Sequence, residues 1–394
     1  MADRPLSAVV LAAGEGTRMH STRPKPLHRL CGRPMILHVL DALAELPVEK
    51  VVVVVGHRAE WVTKTLVDHA PPSLSIEFVE QPEQLGTGDA LAVGLTGLPE
   101  SLADADGDVV VLPGDTPLVR SPTIATLVRH HRNTDAAATL LTARLEDPRG
   151  YDRVVRGKED AVEYVAEASE VSGDVAFIDE VATPIHVFRH TMIAPALRRL
   201  RPTGRAGEHL LSDVYEVLHD AGYRVESLLV ADPMEAAGVN DRAQLAIAEA
   251  ELRFRINERW MRRGVTMWDP DETYVDASVR LERDVVLLPG VILQGDCVLA
   301  GGAEVGPACH LVDTFVGEGA KVSNTNAVRA EIGEGAVVGP FAVLGPGTQV
   351  APGAVVAPFA HLQADDADAE GDGSDGAAPV GGTAAGGDPT TAAR

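Results

Sequence analysis

From Asp276 onward, aliphatic residues return every six positions: Val279, Val285 and Val291, then Val316, Val322 and Val328, then Ile332, Val338, Leu344, Val350, Val356 and Leu362. Glycine often follows the aliphatic residue or lies two or three places later. A period of six with turn residues between is the mark of a left-handed β-helix, whose triangular coils stack inward-pointing aliphatic side chains into a ladder. One coil takes three hexapeptides. A run of ordinary hairpins would give period-two alternation and less regular spacing. The break near Thr325 to Glu331 predicts an insertion at a corner.

A chain of 394 residues is too long for one ordinary core. Up to about residue 240, short β-branched runs alternate with helical stretches, which predicts a mostly parallel, Rossmann-like α/β sheet. The clearest strands are Ser7 to Leu11, Val51 to Val55 and Asp108 to Leu112, nearly continuous in valine and leucine, as in strands covered on both faces. The stretch from Arg242 to Arg263 has no glycine or proline and predicts one long connecting helix. The expected organisation is an α/β domain over 1–241, a linker helix over 242–263, a β-helix over 264–362, and an acidic, disordered tail over 363–394 rich in alanine, glycine and aspartate.

A formal charge of -24 argues against a nucleic-acid backbone or an anionic membrane as the main partner, so an anionic substrate needs a local basic pocket. The N-terminal apolar run reaches glycine too soon for a signal-peptide core, and nothing approaches a membrane span. Cys31, Cys297 and Cys309 have no CxxC spacing, so they are expected to be buried apolar residues of a reduced, cytoplasmic protein.

In open sheets of this type, ligands sit beyond the carboxyl ends of the strands. The unusual residues fall there. In LAAGEGTRM, Leu11 to Met19, Gly14 and Gly16 let the backbone turn tightly and bring amides to a triphosphate, while Arg18 and the Lys25 of RPKPLH supply positive charge. Asp115 ends an apolar strand in PGDTPL, where a carboxylate can hold a divalent ion against phosphate oxygens. Asn240 in GVNDR precedes a helix. An Asx turn at Asp115 and a helix N-cap at Asn240 compete with these readings. So does a plain glycine turn for EQLGTGDA, Glu83 to Ala90, where Gly86 and Gly88 permit close backbone approach and Thr87 offers a hydroxyl.

The ordered series LAAGEGTRM, PKPLH, GRPMILHV, EQLGTGDA, PGDTPL, GYDRVV and GVNDRAQL resembles the bifunctional N-acetylglucosamine-1-phosphate uridylyltransferase family, usually called GlmU. The resemblance runs through GVTMWDPDETYVD into the start of the β-helix. It implies a nucleotidyltransferase domain that joins UTP to a sugar-1-phosphate. Leu11, Ala12, Ala13 and Gly14 would contact the nucleotide, with Gln81, Gly86 and Thr87 at the base. Arg18 and Lys25 would be the catalytic cations, Asp115 and Asn240 the protein ligands of Mg²⁺, and Gly150 and Glu167 the hexose contacts.

Two departures fall on the sugar side. Where the family carries Asn-Thr-Gly, this chain has Ala182, Thr183 and Pro184, and the family's Gly-Glu-Tyr-Tyr-x-Thr-Asp becomes GEHLLSD, with His209 and Leu210 replacing both tyrosines. The resemblance also implies a homotrimer through the β-helix. Val343 and Gly345 stand where the family shows basic residues, and its later acetyltransferase segments have no counterpart before the tail, so no acetyl transfer is expected. A pyrophosphorylase for another hexose-1-phosphate, such as glucose-1-phosphate, and a non-catalytic scaffold subunit are the alternatives.

Overall fold

The computed structural model describes residues 4–202 and 207–364; most of the expected acidic tail lies outside the described residues. A nine-stranded sheet organises the N-terminal part. Its main path runs Val225–Leu229, Ala138–Arg144, Glu180–Arg189, Asp108–Pro113, Leu6–Ala12, Val48–Val55 and Ile76–Glu80. Neighbours pair in parallel except around Glu180–Arg189, which runs antiparallel to both. The valine runs that mark these strands are buried throughout: Val51 to Val54 and Val109 to Val111 are fully inaccessible. Two separate apolar clusters cover the two sheet faces, one containing Val10 and Val53 and the other Val9 and Val52, because alternate residues of a strand point to opposite sides.

The connecting helix spans Arg242–Met261. Asp241 is its N-cap, accepting a bond from the Gln244 amide at 2.8 Å. Near its far end, Ile256 and Trp260 enter the apolar core of the β-helix. Cys31 belongs to that same core, and its carbonyl accepts a bond from the Ala277 amide at 2.9 Å, tying the segment after the first loop to the first coils.

The six-residue period becomes three parallel sheets of six, six and five strands, each strand two or three residues long. This is the hexapeptide β-helix the spacing predicts. Two expectations are corrected. Val328 is 39% exposed, and the neighbouring Ala327 points into the core instead. The irregularity after Leu311 is also a shortening, not an insertion: Leu293 pairs with Leu311, eighteen residues on, whereas Leu311 pairs with Ala327, only sixteen on. Dropping residues at the corners moves the inward position by one, which takes Val328 out of the ladder. Small Ala327 fits the tighter coil.

All three cysteines are buried and unpaired, and burial pushes each thiol above its usual range, Cys297 to about 11. They are inert filler. Among the described residues, no helix is long and apolar enough to cross a membrane.

Candidate active site

Loops from three distant parts of the chain converge at the carboxyl ends of the central strands. The first follows Leu6–Ala12. Gly16 sits at φ 66°, in the left-handed region, and a Cβ there would lie 2.6 Å from Lys25 Cβ, so only glycine lets the two turns close on each other. That contact holds the short turn Lys25–Leu27 against the glycine loop. The second loop brings Asp115 from the strand Asp108–Pro113, and the third brings Asn240 from just before the long helix.

Lys25 Nζ forms an ion pair with Asp115 and donates to Asn240 Oδ1 at 2.8 Å, and Arg18 donates to the same Asn240 oxygen at 2.9 Å. Thus four residues from three distant parts of the chain share one contact point. The two competing local readings fail on these bonds: Asp241 caps the helix, which leaves the Asn240 side chain free to face Lys25, and the Asp115 carboxylate goes to a cation. These groups line a hollow of about 210 Å³, together with Leu11, Ala12, Gly14 and Gly16.

A larger cavity of about 570 Å³ adjoins it, sharing Leu11, Gly14 and Asp115. One wall is the loop Gln81 to Thr87. Gly86, at φ 104°, lies so close to His209 that a Cβ would sit 2.5 Å from the His209 carbonyl. Backbone bonds pin this contact, from the Gly88 amide to the His209 carbonyl and from the His209 amide to the Leu85 carbonyl, each 2.8 Å. The loop is therefore more than a glycine turn before the helix Thr87–Leu95. Thr87 Oγ1 accepts from the Leu211 amide at 3.0 Å, and the buried Gln81 donates to Asp89 Oδ2 at 2.7 Å. Ala13 also lines the cavity.

The far end of the cavity holds Asp152, Glu167, Ala182, Pro184, His186 and Leu210, and among the described residues no lysine or arginine lines it. Burial raises the Asp152 carboxyl above its ordinary range, opposed by a 2.9 Å bond from the Ala168 amide and reinforced by the nearby Glu167. His186 forms part of the wall. Burial pushes its pKa down to about 3, and its Nδ1 shares a 2.7 Å hydrogen bond with the Tyr215 hydroxyl. The ring is neutral at ordinary pH. Gly150 is not brought to the wall; it sits exposed in a turn at φ 82°, two residues before Asp152.

The family model for the MobA-like NTP transferase domain matches residues 8–221. The bifunctional protein GlmU of Thermobifida fusca is 43% identical over 84% of this chain and 68% of its own length. That of Streptomyces avermitilis is 44% identical over 86% and 69%, and that of Shouchella clausii 40% over 84% and 71%. The chain belongs to the GlmU family. It is a sugar-1-phosphate nucleotidyltransferase acting on small nucleotide and sugar phosphate substrates.

Within this GlmU-family site, the structure adds residues that the motifs alone did not assign. Gln84, within EQLGTGDA, donates to the Ala13 carbonyl at 2.8 Å and fastens the loop Gln81 to Thr87 to the glycine loop. Asp152 stood in GYDRVV without a role. His186 and Tyr215 carry no local signal at all, since their partnership spans 29 positions and exists only once the sheet has formed.

Proposed function

We propose that this chain forms UDP-N-acetylglucosamine and pyrophosphate from UTP and N-acetylglucosamine-1-phosphate, with Mg²⁺. The observation that carries the reading is the convergence of Asp115 and Asn240 on one cationic point at the seam between the two cavities. Two hard oxygen donors directed at a single positive charge suit magnesium, which takes few protein ligands when phosphates and water complete its shell. Among the described residues there is no cluster of three or more His, Cys, Asp or Glu that would hold a metal without substrate. Asp115 and Asn240 would hold the ion, which when bound neutralises and aligns the phosphates.

The residues of the chain divide the remaining work. Arg18 and Lys25, now bonded to Asn240 and Asp115, are within reach of the same hollow and turn to the triphosphate when it enters. There they offset the charge that grows on the bridging oxygen as pyrophosphate leaves. No protein nucleophile is needed, because the sugar phosphate oxygen is already ionised and attacks the α-phosphorus directly. The Gln81 to Thr87 wall holds the base, and Asp152 and Glu167 accept bonds from sugar hydroxyls.

A second reading, transfer to a different hexose-1-phosphate, is favoured by Ala182 and Leu210, which put methyl and isobutyl groups on the sugar wall. Pyrophosphate release with UTP plus N-acetylglucosamine-1-phosphate, compared with glucose-1-phosphate, separates the two; equal or greater release with glucose-1-phosphate would sink the first. We further propose that the β-helix assembles the chain as a trimer and that this chain transfers no acetyl group, since Val343 and Gly345 offer no charge to a phosphorylated carrier. Release of coenzyme A thiol from acetyl-coenzyme A with glucosamine-1-phosphate would contradict the latter, and a monomeric mass in solution the former.

A further inference from the structure

Cations gather in a second place in this acidic chain. Between the α/β sheet and the β-helix lies a cleft of about 700 Å³ that shares no lining residue with either cavity of the active site. Four arginines, Arg23, Arg29, Arg33 and Arg259, line it against two aspartates, Asp41 and Asp296, in a chain whose formal charge is -24. Such a local excess of positive charge attracts anions.

Arg33 is satisfied internally, for its fork meets both oxygens of Asp41 at 2.8 Å, which neutralises that aspartate. Among the described residues, the side chains of Arg23, Arg29 and Arg259 make no ion pair within 4.0 Å and no hydrogen bond. Asp276, the acid whose charge Arg29 feels, is engaged by the Gly295 amide at 3.0 Å. Arg259 is exposed, with its guanidinium over the ring of Trp260, and partial desolvation there together with Arg263 holds it below the ordinary range. Cations left without a direct ion-pair partner can take an added anion without first breaking an internal bond.

The remaining wall is apolar, from Leu27, Leu37, Leu252 and Ile256. Guanidinium forks match phosphate, and the apolar surface asks for a body attached to it. The cleft also touches the machinery. Lys25 and Leu27 belong to one short turn, closed by a 3.2 Å bond from the His28 amide to the Lys25 carbonyl; Lys25 lines the catalytic hollow and Leu27 the cleft. We infer that this cleft is a regulatory site for an organic phosphate, whose binding braces the Lys25 turn.

Glucose-6-phosphate is the probe, because its phosphate is on a carbon that the transfer does not use. Calorimetric titration of the full chain should give a Kd below about 1 mM at low ionic strength. The double variant Arg29→Gln with Arg259→Met, which keeps the packing on Trp260, should bind at least tenfold more weakly while its rate without probe stays within twofold. In the wild type, saturating probe should change the initial rate at subsaturating UTP at least twofold. If the double variant fails to fold, Arg29→Gln alone gives the same test with a smaller loss. Absent binding, undiminished binding by the variant, or equal affinity for inorganic phosphate would overturn the site; a rate indifferent to bound probe would overturn its regulatory role. The binding readout is independent of which sugar the enzyme uses.

Discussion

The phosphate end and the hexose end meet at Asp115, but they are assembled from different materials. At the phosphate end, Arg18, Lys25, Asp115 and Asn240 are charged or strongly polar groups bonded directly to one another. At the proposed hexose end, Asp152 and Glu167 share the cavity with a neutral histidine–tyrosine pair and with the apolar Ala182 and Leu210. Transfer depends on charge at fixed points, which any loss disables. Recognition depends on shape and hydrogen-bond inventory, which can change while transfer continues. A nucleotidyltransferase can therefore keep its reaction while the wall that reads its sugar changes.

The strongest way to break this comparison is to remove charge from the first end. Asp115→Ala or Lys25→Ala should lower kcat by about three orders of magnitude, the scale of losing a preorganised electrostatic group, with little change in Tm. Wild-type turnover in the Asp115 variant would remove the metal assignment. Between the two ends, Gly86→Ala should raise KM for UTP by about 10- to 100-fold. The added methyl would meet the His209 carbonyl at 2.5 Å in a backbone conformation that favours glycine, so the base-side loop must shift. An unchanged KM would mean that this loop does not hold the nucleotide.

The same contrast explains what could be read before folding. Both α/β sheet and β-helix were legible because their signals are periodic and local: valine runs for buried strands, and a six-residue return for the coils. The phosphate end was legible because each of its residues sits in a short loop with its own glycine or strand terminus. The hexose end resisted, since His186 meets Tyr215 only across the completed sheet, and Asp152, not Gly150, reaches the wall once the turn is built. Val328 was misplaced for a related reason. A strict period cannot reveal that a corner has been shortened, and only the pairing of Leu311 with Ala327 does so.

Restoring a polar side chain at the hexose end sharpens the comparison. Ala182→Asn should raise the ratio of kcat/KM for N-acetylglucosamine-1-phosphate over glucose-1-phosphate by about tenfold, the value of one hydrogen bond to the substrate's acetamido group. The rate with the better substrate should stay within a few-fold, because no charge at the phosphate end moves. A uniform fall for both sugars would show that position 182 supports the wall without reading the sugar.

The smallest effect tests the neutrality of the hexose floor. His186 is buried with a pKa of about 3 in the fold, well below the value near 6.5 of an exposed histidine. Above about pH 6.5 neither folded nor unfolded chain protonates it, so it contributes no pH dependence. As pH falls through that value, the unfolded chain takes up a proton that the folded chain refuses, and stability drops until the folded ring titrates near 3. The slope for one such group is about 1.4 kcal/mol per pH unit. Urea unfolding between pH 6 and 4.5 should therefore show a stability slope shallower by about that amount in His186→Phe than in the wild type. Other buried histidines with lowered pKa values, such as His131 and His38, are common to both proteins and cancel in the difference. The lost bond to Tyr215 displaces the variant's curve at every pH without tilting it, because burial keeps that hydroxyl protonated throughout. Equal slopes would mean that His186 is protonated in the fold, placing a cation among Asp152 and Glu167 and erasing the distinction between the two ends.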